Sequence, residues 1–249
     1  DAAYTVCQNQ GLHYLHYPIT GGVKGAQDGK LLIMASGEER LYQAFLPWLR
    51  CLGKPVYFGI HPSLATRVKL ISHCMVFAGV LGMSSAISLR EVALGEPMLG
   101  QVAGQFFDDL NQGAGGSRQW ELTFRQAVVD NQWDKGFNLE HAALDALYVA
   151  DWLADLQISR MVSSTYLLIA ASFVYLLQLY PQQALATQAI LRILHGQAAK
   201  DFDVFLSERI DLGDLQGSLQ ALVAALPKSM REKVMLSIKP SDFRVAVQD

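Results

Sequence analysis

Cysteine is scarce. Cys7, Cys51 and Cys74 are the three in 249 residues, too few and too scattered for a disulfide framework or a zinc site, so a reducing, cytoplasmic setting is expected. Charge of either sign is also thin. Lys plus Arg number 20 against 23 Asp plus Glu, which gives no electrostatic reason to expect nucleic acid as a partner. Several signatures are missing: there is no His-Glu-x-x-His, no Cys-x-x-Cys, no P-loop and no Gly-x-Ser-x-Gly elbow. Metal ligation and the common serine-hydrolase arrangement are therefore not expected. The only Gly-x-Gly pair, Gly113 and Gly115, has Arg118 where a dinucleotide fingerprint needs glycine, and no strand is expected before it. The first ten residues are too polar for a secretory signal, and the absence of an initiator Met is what a fragment or processed form would show.

What is abundant is apolar surface. Hydrophobic residues make up 51% of the chain, enough for a core and too many for disorder. Two apolar runs approach the length of a membrane span. Lys69, His73, Arg90 and Glu91 interrupt Val68–Leu94. Ser163, Ser164, Thr165, Ser172 and Gln178 lie within Met161–Tyr180, whose flanks lack basic anchors. Both are read as helices of a soluble core, with no membrane partner.

The first third reads as mixed α/β. Strands are expected at Leu12–Tyr17, Leu31–Ala35 and Pro55–Ile60, with a helix opening at Ser36-Gly37-Glu38-Glu39 and running to about Leu52. Its periodic apolar residues are Leu41, Ala44, Phe45, Trp48 and Leu49. From Ser63 the pattern is helical throughout. One proline-free helix runs to about Leu94, and others are expected at about 96–111, 117–130, 138–156, 160–179, 181–195, 214–226 and 228–237. His13 and His16, three apart on an expected strand, would face opposite sides.

Two places carry chemistry. In Tyr17-Pro18-Ile19-Thr20-Gly21-Gly22-Val23-Lys24-Gly25-Ala26, an expected strand ends in a hydroxyl and two glycines. Glycine tolerates positive φ and lets backbone N–H groups approach a ligand, and Thr20 adds a donor–acceptor hydroxyl; a carboxylate or carbonyl would suit them. An ordinary strand-ending turn fits the same residues. Lys69 lies early in the long helix among Val68, Leu70 and Ile71, with His73 one turn on and on the same face. A partly buried lysine can serve as a general acid–base; a lysine snorkelling over an apolar face is the plainer alternative.

Taken together, these segments resemble the β-hydroxyacid dehydrogenase family, of which 3-hydroxyisobutyrate dehydrogenase is the best-known type. The resemblance runs from about Gly11 to Phe205. Tyr17–Ala26 is similar to the family's Asp-Ala-Pro-Val-Ser-Gly-Gly motif, and Gly29–Gly37 to its Gly-Thr-Leu-x-Ile-Met-x-Gly-Gly. Lys69 matches the catalytic lysine, and Gly136-Phe137 with Asp145 resembles the later Gly-Phe…Lys-Asp segment.

The resemblance implies an α/β remnant of a Rossmann-type dinucleotide-binding domain over residues 1–62. It is followed by an all-α, 6-phosphogluconate-dehydrogenase-like substrate and dimerisation domain over 63–206, joined by the long helix. Residues 207–249 form a helical extension. It also implies an NAD- or NADP-dependent oxidoreductase acting on a small β-hydroxy acid or its aldehyde or ketone. Lys69 would be the general acid–base, and Thr20, Gly21 and Gly22 would hold the substrate carboxylate. His73 stands where the family has a substrate-contacting asparagine, and Asp145 would lie near the cofactor. Ser63-Leu64-Ala65 replaces the family's Gly-x-Gly, and Leu144 replaces the lysine before Asp145. The family's glycine-rich cofactor loop would precede residue 1, so this chain alone is expected to turn over slowly or not at all. The apolar helices lead us to expect a homo-oligomer. A non-catalytic relative serving as an oligomerisation module is the competing expectation.

Overall fold

The computed structural model describes residues 2–132, 138–156, 158–180 and 196–235. The first helix, α1 (Ala2–Asn9), precedes β1 (Leu15–His16) and β2 (Ile19–Thr20). Then come α2 (Gly22–Gln27), β3 (Leu31–Gly37), α3 (Glu39–Leu52), β4 (Gly53–Tyr57) and the 31-residue α4 (Leu64–Leu94). The remaining described elements are helical. They are α5 (Gln101–Asn111), a π-turn at Trp120–Phe124 leading into α6 (Arg125–Asp130), α7 (Leu139–Asp155), α8 (Arg160–Leu179), α9 (Gly196–Arg209), α10 (Leu215–Ala225) and α11 (Lys228–Met235). The chain divides into two compact units within α4, after His73.

In the first unit β3 is central. It pairs parallel with β4 from Leu31↔Gly53 to Ala35↔Tyr57. It pairs antiparallel with β1 through Leu15↔Gly37 and His16↔Ser36, and with β2 through Ile19↔Ile33 and Thr20↔Leu32. The two antiparallel segments share one register, so residues 15–20 run alongside β3 as a single strand. Tyr17 and Pro18 fall opposite Ala35 and Met34, and the Met34 amide donates to the Pro18 carbonyl at 2.9 Å. Pro18 has no N–H to return, which splits the strand in two. Gly53 is required for the close pairing of β4, because a Cβ there would overlap the Leu31 backbone.

Leu31, Ile33, Ala35, Tyr42 and Leu49 form the core of this unit, with Tyr17, Leu46 and Tyr57 packed against it. The expected α3 thus forms with a different inner face. Tyr42, Leu46 and Leu49 face the sheet, whereas Phe45, Trp48 and Leu52 are exposed. Helical periodicity alone does not say which of two adjacent apolar stripes is buried.

Other boundaries also differ from expectation: β4 spans Gly53–Tyr57 where a strand over Pro55–Ile60 was expected, and α9 (Gly196–Arg209) was not among the expected helices. The N-terminal residues 2–9 are helical, α2 fills the glycine-rich segment after Gly21, α5 starts at Gln101, and His13 lies before the strand rather than in it. His13 pairs with Glu38 at 3.2 Å. The helix expected over 181–195, and Gly136-Phe137, lie outside the described residues.

In the second unit α7 and α8 supply the core. Leu139, Ala142, Ala143, Ala146, Leu147, Val149, Ala150 and Leu153 of α7 are buried, as are Leu167, Ile169, Ala170, Ala171, Phe173, Val174, Leu176 and Leu177 of α8. Two of the α8 serines are satisfied inside: Ser163 donates to the Leu153 carbonyl at 3.1 Å and Ser172 to that of Ile169 at 2.7 Å. Asn138 caps α7 and Asp214 caps α10 through their side-chain oxygens. Asp108 takes a bidentate Arg125 and the Trp120 indole N–H.

Helices α4 and α8 are long and apolar enough to cross a membrane by length and composition. Two-thirds of the apolar window of α8 is buried within the protein, as in a core helix; only 39% of that of α4 is.

Candidate active site

The turn after β2 is built as its glycines require. Gly21 sits at φ 133° and Gly22 at φ 62°, both in the region that disfavours side chains. Thr20, the last strand residue, is half-buried opposite Leu32. The Gly25 amide donates to the Gly21 carbonyl at 3.0 Å and closes the turn into α2.

The start of α4 is tied to this strand and to β3. Ser36, fully buried at the end of β3, donates its hydroxyl to the Pro62 carbonyl at 2.8 Å and accepts the Ala65 amide at 3.1 Å. That amide is one of the first-turn donors that a helix leaves without an internal partner. Ala65, the last of the three residues replacing the expected Gly-x-Gly, is itself completely buried.

One turn on, Lys69 is half-buried and donates Nζ to the Ile19 carbonyl at 2.7 Å. Its ammonium group therefore lies beside the residue preceding Thr20. His73 follows at i+4, buried; burial first and the Lys69 charge second hold its pKa down, at about 4 instead of the usual 6.5. The structure brings Lys69, His73 and the Thr20-Gly21-Gly22 turn into one unit. Asp145 lies on α7 in the second unit, half-buried.

His16 was not singled out from the sequence. Its Nε2 lies 2.7 Å from the Thr66 hydroxyl and its Nδ1 3.2 Å from the Tyr14 hydroxyl, with the ring stacked on Tyr14. The signal available was its position four residues before Thr20, on the same face of one strand.

Cofactor phosphates do not fit the described residues. Among these, no strand leads into a Gly-x-Gly-x-x-Gly turn. The strand-to-helix turn after β3 carries the single Gly37 and then Glu38 and Glu39, whose charges oppose a pyrophosphate. Gly113 and Gly115 follow helix α5, not a strand.

Residues 2–61 match the family profile of the NAD binding domain of 6-phosphogluconate dehydrogenase. An uncharacterized oxidoreductase of Synechocystis is 29% identical over 154 residues, covering 60% of this chain and 50% of that protein. L-threonate dehydrogenase of Escherichia coli is 28% identical over 158 residues, covering 63% and 50%. The mitochondrial 3-hydroxyisobutyrate dehydrogenase of Drosophila melanogaster is 31% identical over 81 residues, covering 32% and 25%. The chain spans about half the length of the first two of these relatives. Among solved structures, 3-hydroxyisobutyrate dehydrogenase from Salmonella typhimurium has the same fold over 78% of this chain and 64% of its own, with a TM-score of 0.63 at 22% identity.

Proposed function

The chain belongs to the β-hydroxyacid dehydrogenase family, and we propose that it carries the substrate-holding and proton-transfer side of an NAD(P)-dependent oxidation of a small β-hydroxy acid. The observation that carries this reading is the placement of the Lys69 ammonium group 2.7 Å from the Ile19 carbonyl, next to the Thr20-Gly21-Gly22 turn. The names of the relatives, L-threonate and 3-hydroxyisobutyrate dehydrogenase, support hydroxy acids as the substrate class.

The chemistry follows from what each group can do. Backbone N–H groups at Gly21 and Gly22, with the Thr20 hydroxyl, hold the substrate carboxylate by hydrogen bonds to its oxygens. As the neutral amine, Lys69 takes the hydroxyl proton while the alcohol becomes a carbonyl, and as the ammonium it returns that proton in the reverse direction. His73, neutral near pH 7 because its pKa is held at about 4, adds no second positive charge beside Lys69. A bound nicotinamide would supply the hydride acceptor, but the described residues offer its phosphates no cradle.

The outward stripe Ile71, Met75, Ala78, Gly82, Leu89 and Val92 of α4 supports self-association. Its members are three or four residues apart from Ile71 to Gly82, the stripe resumes at Leu89 and Val92, and all six are exposed. Light scattering tests this part: a dimer or larger is expected, and a monomer at all concentrations contradicts it.

Calorimetric titration with NAD and NADP tests the dehydrogenase reading on this chain and on any longer natural form. Nucleotide binding, followed by oxidation of β-hydroxy carboxylates, is the expected result. Failure of every form to bind either nucleotide overturns the reading in favour of a non-catalytic oligomerisation module.

A further inference from the structure

We propose that His16 is a positioning residue for Lys69, holding the helix that carries the lysine in register with the strand that carries Thr20. The inference rests on the reading of Lys69 given above and extends it to a residue given no part there in holding substrate or moving its proton.

Among the described residues, the Lys69 and His16 side chains tie the strand of residues 15–20 to the start of α4. The first tie is the Lys69 bond to the Ile19 carbonyl at 2.7 Å, and the second is the His16–Thr66 bond, also at 2.7 Å. The first depends on the lysine that must exchange a proton with substrate, and it weakens whenever Lys69 turns to that task. The second does not involve Lys69 at all. Thr66 and Lys69 are three apart on α4 and so share a face, while His16 and Thr20 share a face of the strand. The tie therefore fixes the strand face bearing Thr20 against the helix face bearing Lys69. Ser36 holds the start of α4 to β3, a different strand.

The imidazole is itself held on both sides. Whichever ring nitrogen carries the proton, one partner is the Thr66 hydroxyl and the other the Tyr14 hydroxyl at 3.2 Å, and Tyr14 stacks on the ring. Burial keeps the His16 pKa below its ordinary value, so near neutral pH the tie brings no competing cation to Lys69. A misplacement of about 1 Å remote from the reacting atoms can cost as much as about a hundredfold in rate.

The experiment compares His16→Leu, Thr66→Val, the double variant, His16→Gln and His16→Asn on the full chain. Peptide-resolved trinitrobenzenesulfonate labelling reports the freedom of Lys69 without requiring turnover, with Lys24 and Lys30 as internal controls. Labelling of Lys69 is expected to speed up about threefold or more in His16→Leu and in Thr66→Val, and no further in the double variant. His16→Gln should restore the slow rate, because its amide nitrogen takes the place of Nε2, while the shorter His16→Asn should not. Wherever dehydrogenase activity is measurable, kcat should fall about tenfold in the Leu and Val variants and recover in His16→Gln.

Unchanged Lys69 labelling in both His16→Leu and Thr66→Val, with native circular dichroism, overturns the proposal. So does equal rescue by Asn and Gln. Should His16→Leu fail to fold, Thr66→Val decides alone. Absence of nucleotide binding and turnover in the wild-type protein would overturn the dehydrogenase reading, while the labelling result would still decide the role of His16.

Discussion

Acidifying the protein should expose the buried His73, and the size of the effect follows from its surroundings. The ring is buried one turn beyond Lys69, and both burial and the lysine charge disfavour the imidazolium. In the unfolded chain His73 takes a proton near its ordinary pKa of 6.5, while in the folded protein it stays neutral to about 4. Between those values the unfolded state binds more protons, so stability is fully present above about pH 6.5 and is lost as pH falls through about 4. At about 1.4 kcal/mol for each tenfold change in proton affinity, the loss is about 3 kcal/mol.

Urea unfolding across this range should therefore fall less steeply for His73→Asn than for the wild type, by a total of about 3 kcal/mol. Proton NMR of the imidazole gives a second readout. Lys69→Met should raise the His73 midpoint toward 6.5, because the lysine charge is the second cause of its depression. A His73 midpoint near 6.5 in the wild type, unmoved by Lys69→Met, would refute the placement of the two side chains.

Asp151, buried on α7, titrates in the opposite sense. Burial first and the Asp155 charge second raise its pKa from 3.8 to about 6. The penalty of its charge is present above about pH 6 and is relieved as pH falls toward 3.8, so Asp151→Asn should stabilise the protein at neutral pH by about 1–3 kcal/mol in urea titrations. Gly53→Ala places a Cβ on the Leu31 backbone and should destabilise the first unit by about 1–3 kcal/mol or more, read as a lower thermal midpoint. Ser36→Ala leaves the buried Ala65 amide and Pro62 carbonyl without their shared hydroxyl; a loss of about 1–3 kcal/mol is expected in the same assay.

Much of the fold was legible in the sequence where periodicity was long and uninterrupted. The continuous pattern after Ser63 gave α4 almost to the residue, and the runs ending at Leu179 and Asp155 gave α8 and α7. Short elements were less legible. The strand over residues 15–20 is split by Pro18, and its single register shows only in the pairing with β3. The helix α2 follows two glycines, which propensity assigns to a turn.

At the candidate site, Thr20, Gly21, Gly22 and Lys69 stood out by their residue types and by their resemblance to family motifs, and His73 by its place one turn after Lys69. The bond from Lys69 to the Ile19 carbonyl joins residues 50 apart, and the His16–Thr66 bond spans the same separation. No local pattern encodes such pairs. Ser36 is a similar case: its side chain satisfies a helix end that begins 28 residues later, which depends on the parallel β3–β4 unit returning the chain to the end of β3.

The most direct test of the account is nucleotide-dependent oxidation of β-hydroxy carboxylates by the longest natural form of the protein, followed by the absorbance of reduced nicotinamide, with Lys69→Ala beside the wild type. The account predicts turnover by the wild type and a fall of about a hundredfold to ten-thousandfold in kcat/KM for Lys69→Ala, the range expected when a general acid–base is removed. Turnover in Lys69→Ala equal to that of the wild type would contradict it.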